Sequence, residues 1–264
     1  MKYENNVIIH QEEDFEGMRK AGVLAASVLD YITDYVKPGI TTDELNTLCH
    51  DKIIENKAIP APLNYRGFPK SICTSVNHVV CHGIPGDKKL QEGDILNIDV
   101  TVILDGWHGD TSRMYFVGKK ISLKAKRLVN FTYEAMMRGI EIIKPGVPLY
   151  EIGRTIQEYI EGFGYSTVRD YCGHGIGRKF HTAPSVLHYY DKKNDLILQK
   201  GMFFTVEPMI NVGGYQTHLL QDGWTVVTKD NSLSAQFEHT IGVTDDGHEI
   251  FTKSPKNYTL PSYV

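Results

Sequence analysis

The chain repeats itself, and an acidic residue stands at the same place in each copy. Leu90-Gln91-Glu92-Gly93-Asp94-Ile95-Leu96-Asn97-Ile98-Asp99 runs parallel to Leu198-Gln199-Lys200-Gly201-Met202-Phe203-Phe204-Thr205-Val206-Glu207, so Asp99 aligns with Glu207. Upstream, Val36-Lys37-Pro38-Gly39-Ile40 matches Ile143-Lys144-Pro145-Gly146-Val147, and the match carries on through Glu44 to Glu151. His82-Gly83-Ile84 echoes His174-Gly175-Ile176. Two similar halves place the groups they share at the seam between them. Carboxylates and imidazoles at such a seam are the inventory of a metal centre.

A length of 264 residues accommodates one large α/β domain or two small ones. The repeat favours one domain over residues 1–264, with pseudo-repeats at about 12–117 and 120–250. With 41% hydrophobic and 23% charged residues the chain reads as an ordinary soluble globular protein. A net charge of −4 gives no global reason to expect a nucleic-acid or membrane-surface partner. No apolar run reaches bilayer-spanning length, and the N-terminal residues lack an apolar signal core. Cys49, Cys73, Cys81 and Cys172 form no CxxC pair, which fits reduced thiols in a cytoplasm.

The stretch from about Glu12 to Val36 has apolar residues at helical spacing and ends at Lys37-Pro38-Gly39, a helix stop. Thr41-Thr42-Asp43-Glu44 has the form of a capping box opening a second helix. The second half replays this order: a long helix from about Leu123 to Ile143, a stop at Lys144-Pro145-Gly146, then Pro148 at the first position of another helix. A strand-rich stretch follows each helix pair. The expected class is α/β with segregated helices and antiparallel strands, pseudo-symmetric about the site.

Asp94–Leu104 and Trp107–Val117 flank Asp105-Gly106, the signal of a two-residue type I′ hairpin. Such a turn sets Asp110 opposite Thr101, and a strand period of two puts Asp99 on the same face. The two carboxylates are then diagonal neighbours able to converge on one ion. Ile98, Val100 and Val102 are apolar, so Asp99 sits in a core strand where a lone carboxylate is costly unless paired or metal-bound. Glu207 follows another apolar run, and Glu238 stands in the strand-like segment from Ser234 to Ile241. With the Gly-flanked His174, these four carboxylates could hold two divalent ions bridged by a water, an arrangement common in hydrolases. His82 and His181 lie in Gly/Pro-punctuated segments near these residues; His10, His50, His188 and His248 read as structural. Cys81 reads as a small buried apolar residue.

On these residues the chain resembles the type I methionine aminopeptidases of the pita-bread fold, over essentially its whole length. The segments that carry the likeness are Pro69-Lys70-Ser71, Val80-Cys81-His82-Gly83-Ile84-Pro85, Asn97-Ile98-Asp99-Val100, His108-Gly109-Asp110-Thr111-Ser112, Gly173-His174-Gly175-Ile176-Gly177 and Phe237-Glu238-His239-Thr240. The resemblance implies removal of N-terminal methionine from nascent chains, with a small second residue preferred, by hydrolysis with a metal-bridged water or hydroxide. It implies two divalent ions, of Co, Mn, Fe(II) or Zn. Asp99 is expected to chelate one, His174 and Glu207 the other, and Asp110 with Glu238 to bridge both. It gives catalytic roles to His82 near the scissile amide, His181 at the substrate carbonyl, and Glu207 as proton shuttle. The methionine pocket maps onto Tyr65, Phe68, Cys73, Phe180 and Trp224, soft aromatic walls suited to a thioether. Arg66 stands where many relatives have histidine. The form resembled is the minimal bacterial one, cytoplasmic and monomeric.

Lys119, Lys120, Lys124, Lys126 and Arg127 make a basic cluster, read as a solvated helix face or as contact with ribosomal RNA near the exit tunnel. No membrane or sequence-specific nucleic-acid partner is expected. Two other functions share much of this pattern. A prolidase or aminopeptidase P has similar ligands but usually an additional N-terminal domain; a non-catalytic pita-bread binding module would be expected to lose ligands.

Overall fold

The computed structural model describes residues 2–4 and 6–261. Each half supplies two helices: α1 (Glu12–Ile32) and α2 (Thr42–Glu55), then α3 (Leu123–Glu141) and α4 (Tyr150–Glu161). The Thr41 hydroxyl accepts the Glu44 N–H while the Glu44 carboxylate takes the Thr41 N–H, the expected capping box at the start of α2. α1 ends at Ile32 and continues as a short 3-10 turn, Thr33–Tyr35, before the Pro38 stop. Pro148 does not open α4; it bridges Ile197 two residues ahead of the helix, because the chain pairs with the 196–198 segment before it turns helical.

All recorded strand pairings are antiparallel. In the first half, Val28, Leu29 and Ile32 of α1 and Leu45 and Ile53 of α2 pack on Ile98, Val100 and Val102 of strand Ile95–Leu104. In the second half, Leu128 and Met136 of α3 and Ile152 and Ile156 of α4 pack on Phe204 and Val206 of strand Phe203–Val206. Side chains alternate along a strand. Once even-numbered residues are buried under the helices, Asp99 and Thr101 in one half, and Thr205 in the other, face away from them. Each helix pair thus turns the matching acidic end of its sheet toward the other half.

The expected continuous strand from Ser234 to Ile241 is broken. Ser234–Gln236 pairs with Met209–Asn211, whereas His239–Val243 pairs with Phe203–Val206. Both strands of this ribbon change sheets at the same level, leaving Glu207 on one and Glu238 on the other at the crossing. The residues there leave the regular ladder, so their carboxylates can point into the seam.

Candidate metal centre

The hairpin forms in the expected register. Asp105 and Gly106 have φ of 50° and 78°, as a type I′ turn requires, and Thr101 faces Asp110 while Asp99 faces Ser112. Ser112 also bridges Glu238, which carries the second-half carboxylate onto the first-half hairpin. His174 lies on the three-residue strand Gly173–Gly175, clamped between two neighbours. A Cβ on Gly173 would come within 2.3 Å of the Thr205 carbonyl, and one on Gly175 within 2.0 Å of the Ala183 carbonyl. Only glycine lets the strands close on the histidine from both sides.

Asp110, His174 and Glu238 each bring a ligand atom within 4.8 Å of the others. His174 Nε2 lies 3.5 Å from Asp110 Oδ2 and 3.7 Å from Glu207 Oε1. Burial and the neighbouring carboxylates push Asp99 and Glu238 well above the usual carboxylate range. Burial raises Glu207 to about 7, against the opposing pull of His174 and Thr205. Burial alone would lower His174, but Asp110 and Glu207 outweigh it and hold the imidazole above its ordinary value. Among the described residues no Lys or Arg forms an ion pair with any of these four acids. Four enclosed carboxylates facing one imidazole leave negative charge that only protons or bound cations can offset. Hard oxygen donors with one imidazole nitrogen suit divalent Mn, Fe, Co or Zn, so the residues fit a metal centre.

This cluster lines the inner part of a pocket of about 380 Å³ that is also lined by Tyr65, Phe68, Cys73, Phe180 and Trp224. Phe68 meets Trp224 edge to face at 5.2 Å, and Tyr65 lies 4.9 Å from Phe180. His82 and His181 line the same space, so every site residue expected from the sequence comes to one place. His82 adopts a left-handed backbone, φ 55°, and its ring stands edge-on to Tyr171 and Trp224. His181 Nδ1 lies 2.9 Å from the Tyr65 hydroxyl, and its ring centre 4.1 Å from that of His174. Desolvation among these rings, with His174 nearby, lowers His181 to about 3. Cys81, read as apolar filler, is buried as expected but borders the pocket as well.

Sequence reasoning missed the groups that hold the carboxylates. The Thr101 hydroxyl donates to Asp110 Oδ1 at 2.6 Å. The Thr205 hydroxyl donates to Glu207 Oε1 at 2.7 Å and accepts the His174 N–H at 3.0 Å, tying two functional side chains together. Gln236 Nε2 donates to Glu207 Oε2 at 3.2 Å. His188, read as merely structural, is fully buried, and its Nε2 accepts the Glu207 N–H at 3.0 Å. For Thr101 and Thr205 a signal existed, since each lies two residues from a site acid in the sequence; for His188 there was none.

Comparison with known proteins follows the same lines. The model of metallopeptidase family M24 matches residues 16–245. The methionine aminopeptidase of Rickettsia prowazekii (strain Madrid E) is 65% identical over 256 residues, 97% of this chain and 98% of that protein. A crystal structure of methionine aminopeptidase from Rickettsia prowazekii superposes with a TM-score of 0.92 at 66% identity, covering 93% of this chain and 99% of that one. The prolidase of Pyrococcus horikoshii OT3 is 22% identical with a TM-score of 0.73, and the match covers 94% of this chain but 64% of that one; it shares the fold, the pita-bread arrangement. By sequence and by structure, this chain belongs to metallopeptidase family M24, among its methionine aminopeptidases.

Proposed function

We propose that the pocket takes the N-terminal methionine of a peptide chain and that the enzyme hydrolyses the bond behind it, with a small second residue preferred. The observation that carries this reading is the direct opening of an aromatic, thiol-bordered pocket onto the carboxylate–imidazole cluster. A thioether packs well against rings and soft sulfur, which Tyr65, Phe68, Phe180, Trp224 and Cys73 supply.

Asp99 would hold one divalent ion and His174 with Glu207 a second, Asp110 and Glu238 serving both. A divalent ion there supplies Lewis-acid polarisation of the scissile carbonyl and a lowered pKa for water. The chain's own groups do the rest. With the Tyr65 hydroxyl donating to Nδ1, neutral His181 keeps its proton on Nε2, from which it donates to the substrate carbonyl oxygen and to the oxyanion that develops there. His82, enclosed and held neutral by burial, lies beside the scissile amide. Glu207, raised to about 7 in the metal-free chain, is poised to take a proton from the attacking water and give it to the leaving amine. Thr205 and Gln236 fix its two oxygens for that transfer.

On this reading residues 1–264 form one catalytic domain acting on nascent chains in the cytoplasm, where Cys49, Cys73, Cys81 and Cys172 stay free. No helix among the described residues is long and apolar enough to cross a membrane. The exposed side chains of Lys119, Lys120, Lys124, Lys126 and Arg127 face solvent for an anionic partner such as ribosomal RNA. The test is release of methionine from Met-Ala-Ser, Met-Lys-Ser and Ala-Pro-Ser after chelation and re-addition of Mn, Co or Fe(II). Metal-restored cleavage of the first alone supports the reading. Cleavage only of Ala-Pro-Ser moves the assignment to aminopeptidase P, and silence with every metal to a binding module.

A further inference from the structure

We propose that Arg66 makes the pocket mouth select substrates with an acidic side chain at the third or fourth residue; this rests on the reading of the pocket as a methionine aminopeptidase site. Arg66 is exposed and lines the pocket that holds the acidic cluster. It is a cation at the rim of a pocket whose inner charges are all carboxylates, and it forms no ion pair among the described residues. The other charged side chain at the rim is Asp170, beside Tyr171, whose carboxylate accepts the Thr217 hydroxyl at 2.6 Å. The mouth is therefore cationic beside Tyr65 and anionic beside Tyr171.

Arg66 stands in an unusual turn. Asn64, Arg66 and Gly67 have φ of 66°, 49° and 88°, left-handed conformations on both sides of Tyr65 that a non-glycine residue occupies at a cost. The Arg66 guanidinium carbon sits 5.4 Å from the centre of the Tyr65 ring. That ring is 5.2 Å from His181, which lies 4.1 Å from His174. From the reacting end outward the order is His174, His181, Tyr65, Arg66. The guanidinium carbon therefore lies no more than about 11 Å from the His181 ring centre, and with the scissile carbonyl beside His181 an extended peptide covers such a span in about three residues at ~3.4 Å each. The third and fourth residues fall within that span. A planar guanidinium there recognises a carboxylate through paired N–H donors. At a solvent-washed rim the gain is modest, about two- to fivefold in kcat/KM, and it declines with salt.

The experiment uses the full chain loaded with Mn and a family of Met-Ala peptides amidated at the C-terminus. Asp, Ser or Lys is placed at the third residue, and Asp is then walked to the fourth and the sixth. The wild type is expected to favour Asp over Lys at the third or fourth residue by about two- to fivefold at low salt, with the ratio approaching one at high salt and no gain from Asp at the sixth. Arg66→Asn, a residue that tolerates the left-handed backbone, is expected to erase the ratio, and Arg66→Glu to invert it. Thermal melting of each variant confirms that it is folded. An unchanged ratio in both variants, or equal gain from Asp at the sixth residue, overturns the assignment to Arg66. Equal release from all peptides by the wild type overturns the inference and leaves the methionine reading intact. No methionine from the neutral Ser peptide defeats that reading, and the inference falls with it.

Discussion

Two buried ionic clusters in this molecule are built on opposite principles. Asp30 of α1 pairs with Arg113 at 2.7 Å, with side-chain exposures of 4% and 7%. Its oxygens also accept the Ser254 hydroxyl at 2.7 and 2.9 Å and the Lys256 N–H at 3.0 Å. Charge and hydrogen bonds close on themselves there, which ties α1 and the hairpin to the C-terminal segment. At the other cluster Asp99, Asp110, Glu207 and Glu238 gather around His174, and among the described residues no Lys or Arg forms an ion pair with them. Self-neutralised charge serves the fold, whereas charge left open is held for something that must come from outside.

The contrast is broken most strongly by removing a carboxylate from the open cluster. Glu238→Gln and Asp99→Asn should each lower metal-dependent turnover at least about a thousandfold, some 4 kcal/mol of transition-state stabilisation. The metal-free variants should melt no lower than the wild type, since a raised carboxyl is lost; near-normal turnover in either would contradict the metal assignment. At the closed cluster the signs reverse. Asp30→Ala leaves the buried Arg113 without this carboxylate and should destabilise the fold by about 3 kcal/mol in denaturant titrations, with metal uptake by the folded fraction unchanged. A matching loss of metal affinity would mean that the two clusters are coupled.

Finer changes sharpen the comparison. Thr205→Val removes the hydroxyl that ties Glu207 to the His174 backbone and should weaken binding of one ion by about 10–100-fold, read by calorimetry with Mn alone. Thr205→Ser should restore it, and equal affinity in all three proteins would reduce Thr205 to a packing residue. The smallest effect is in pH. The folded Glu207 carboxyl titrates at about 7 against an ordinary value of 4.5, so below 4.5 both folded and unfolded chains carry the proton. As pH rises from 4.5 through 7 the unfolded chain ionises first, so the contribution of this carboxyl to the stability of the metal-free protein is lost across that window, against the opposite contribution of His181, His188 and His239, which burial lowers to about 3. Saturating metal should reverse the Glu207 contribution, because it favours the ionised form, so the stabilisation by metal should grow with pH. Melting temperatures of chelated and loaded protein at pH 5, 6 and 7.5 check both directions, and parallel curves would refute the account.

Much of this was legible in the chain. Asp105-Gly106 allowed a single tight turn with no slack, so the facing of Asp110 and Thr101 followed by counting. Thr41 and Glu44 announced the start of α2. Pro148 misled because a proline suits the first turn of a helix and an ordinary bridge alike, and the Ile197 partner that decides between them lies far along the chain. Glu238 looked like a strand residue because its neighbours are strand-forming; the change of sheet beside it comes from its pairing partners. His188 carried no local mark at all, since its contact with the Glu207 N–H is made only when the segment folds back.

The sequence by itself determined the duplicated halves, the identity of the acids and histidines, and the shared strand face of Asp99 and Asp110, because repeat, turn chemistry and period-two alternation are local properties. Tertiary structure alone decided that the two acidic ends meet, that His174 is clamped between strands with no room for a Cβ on either flanking glycine, and that Thr205, Gln236 and His188 converge on Glu207. Those outcomes depend on contacts between residues distant in sequence, and no local pattern encodes the distance between two side chains that only packing brings together.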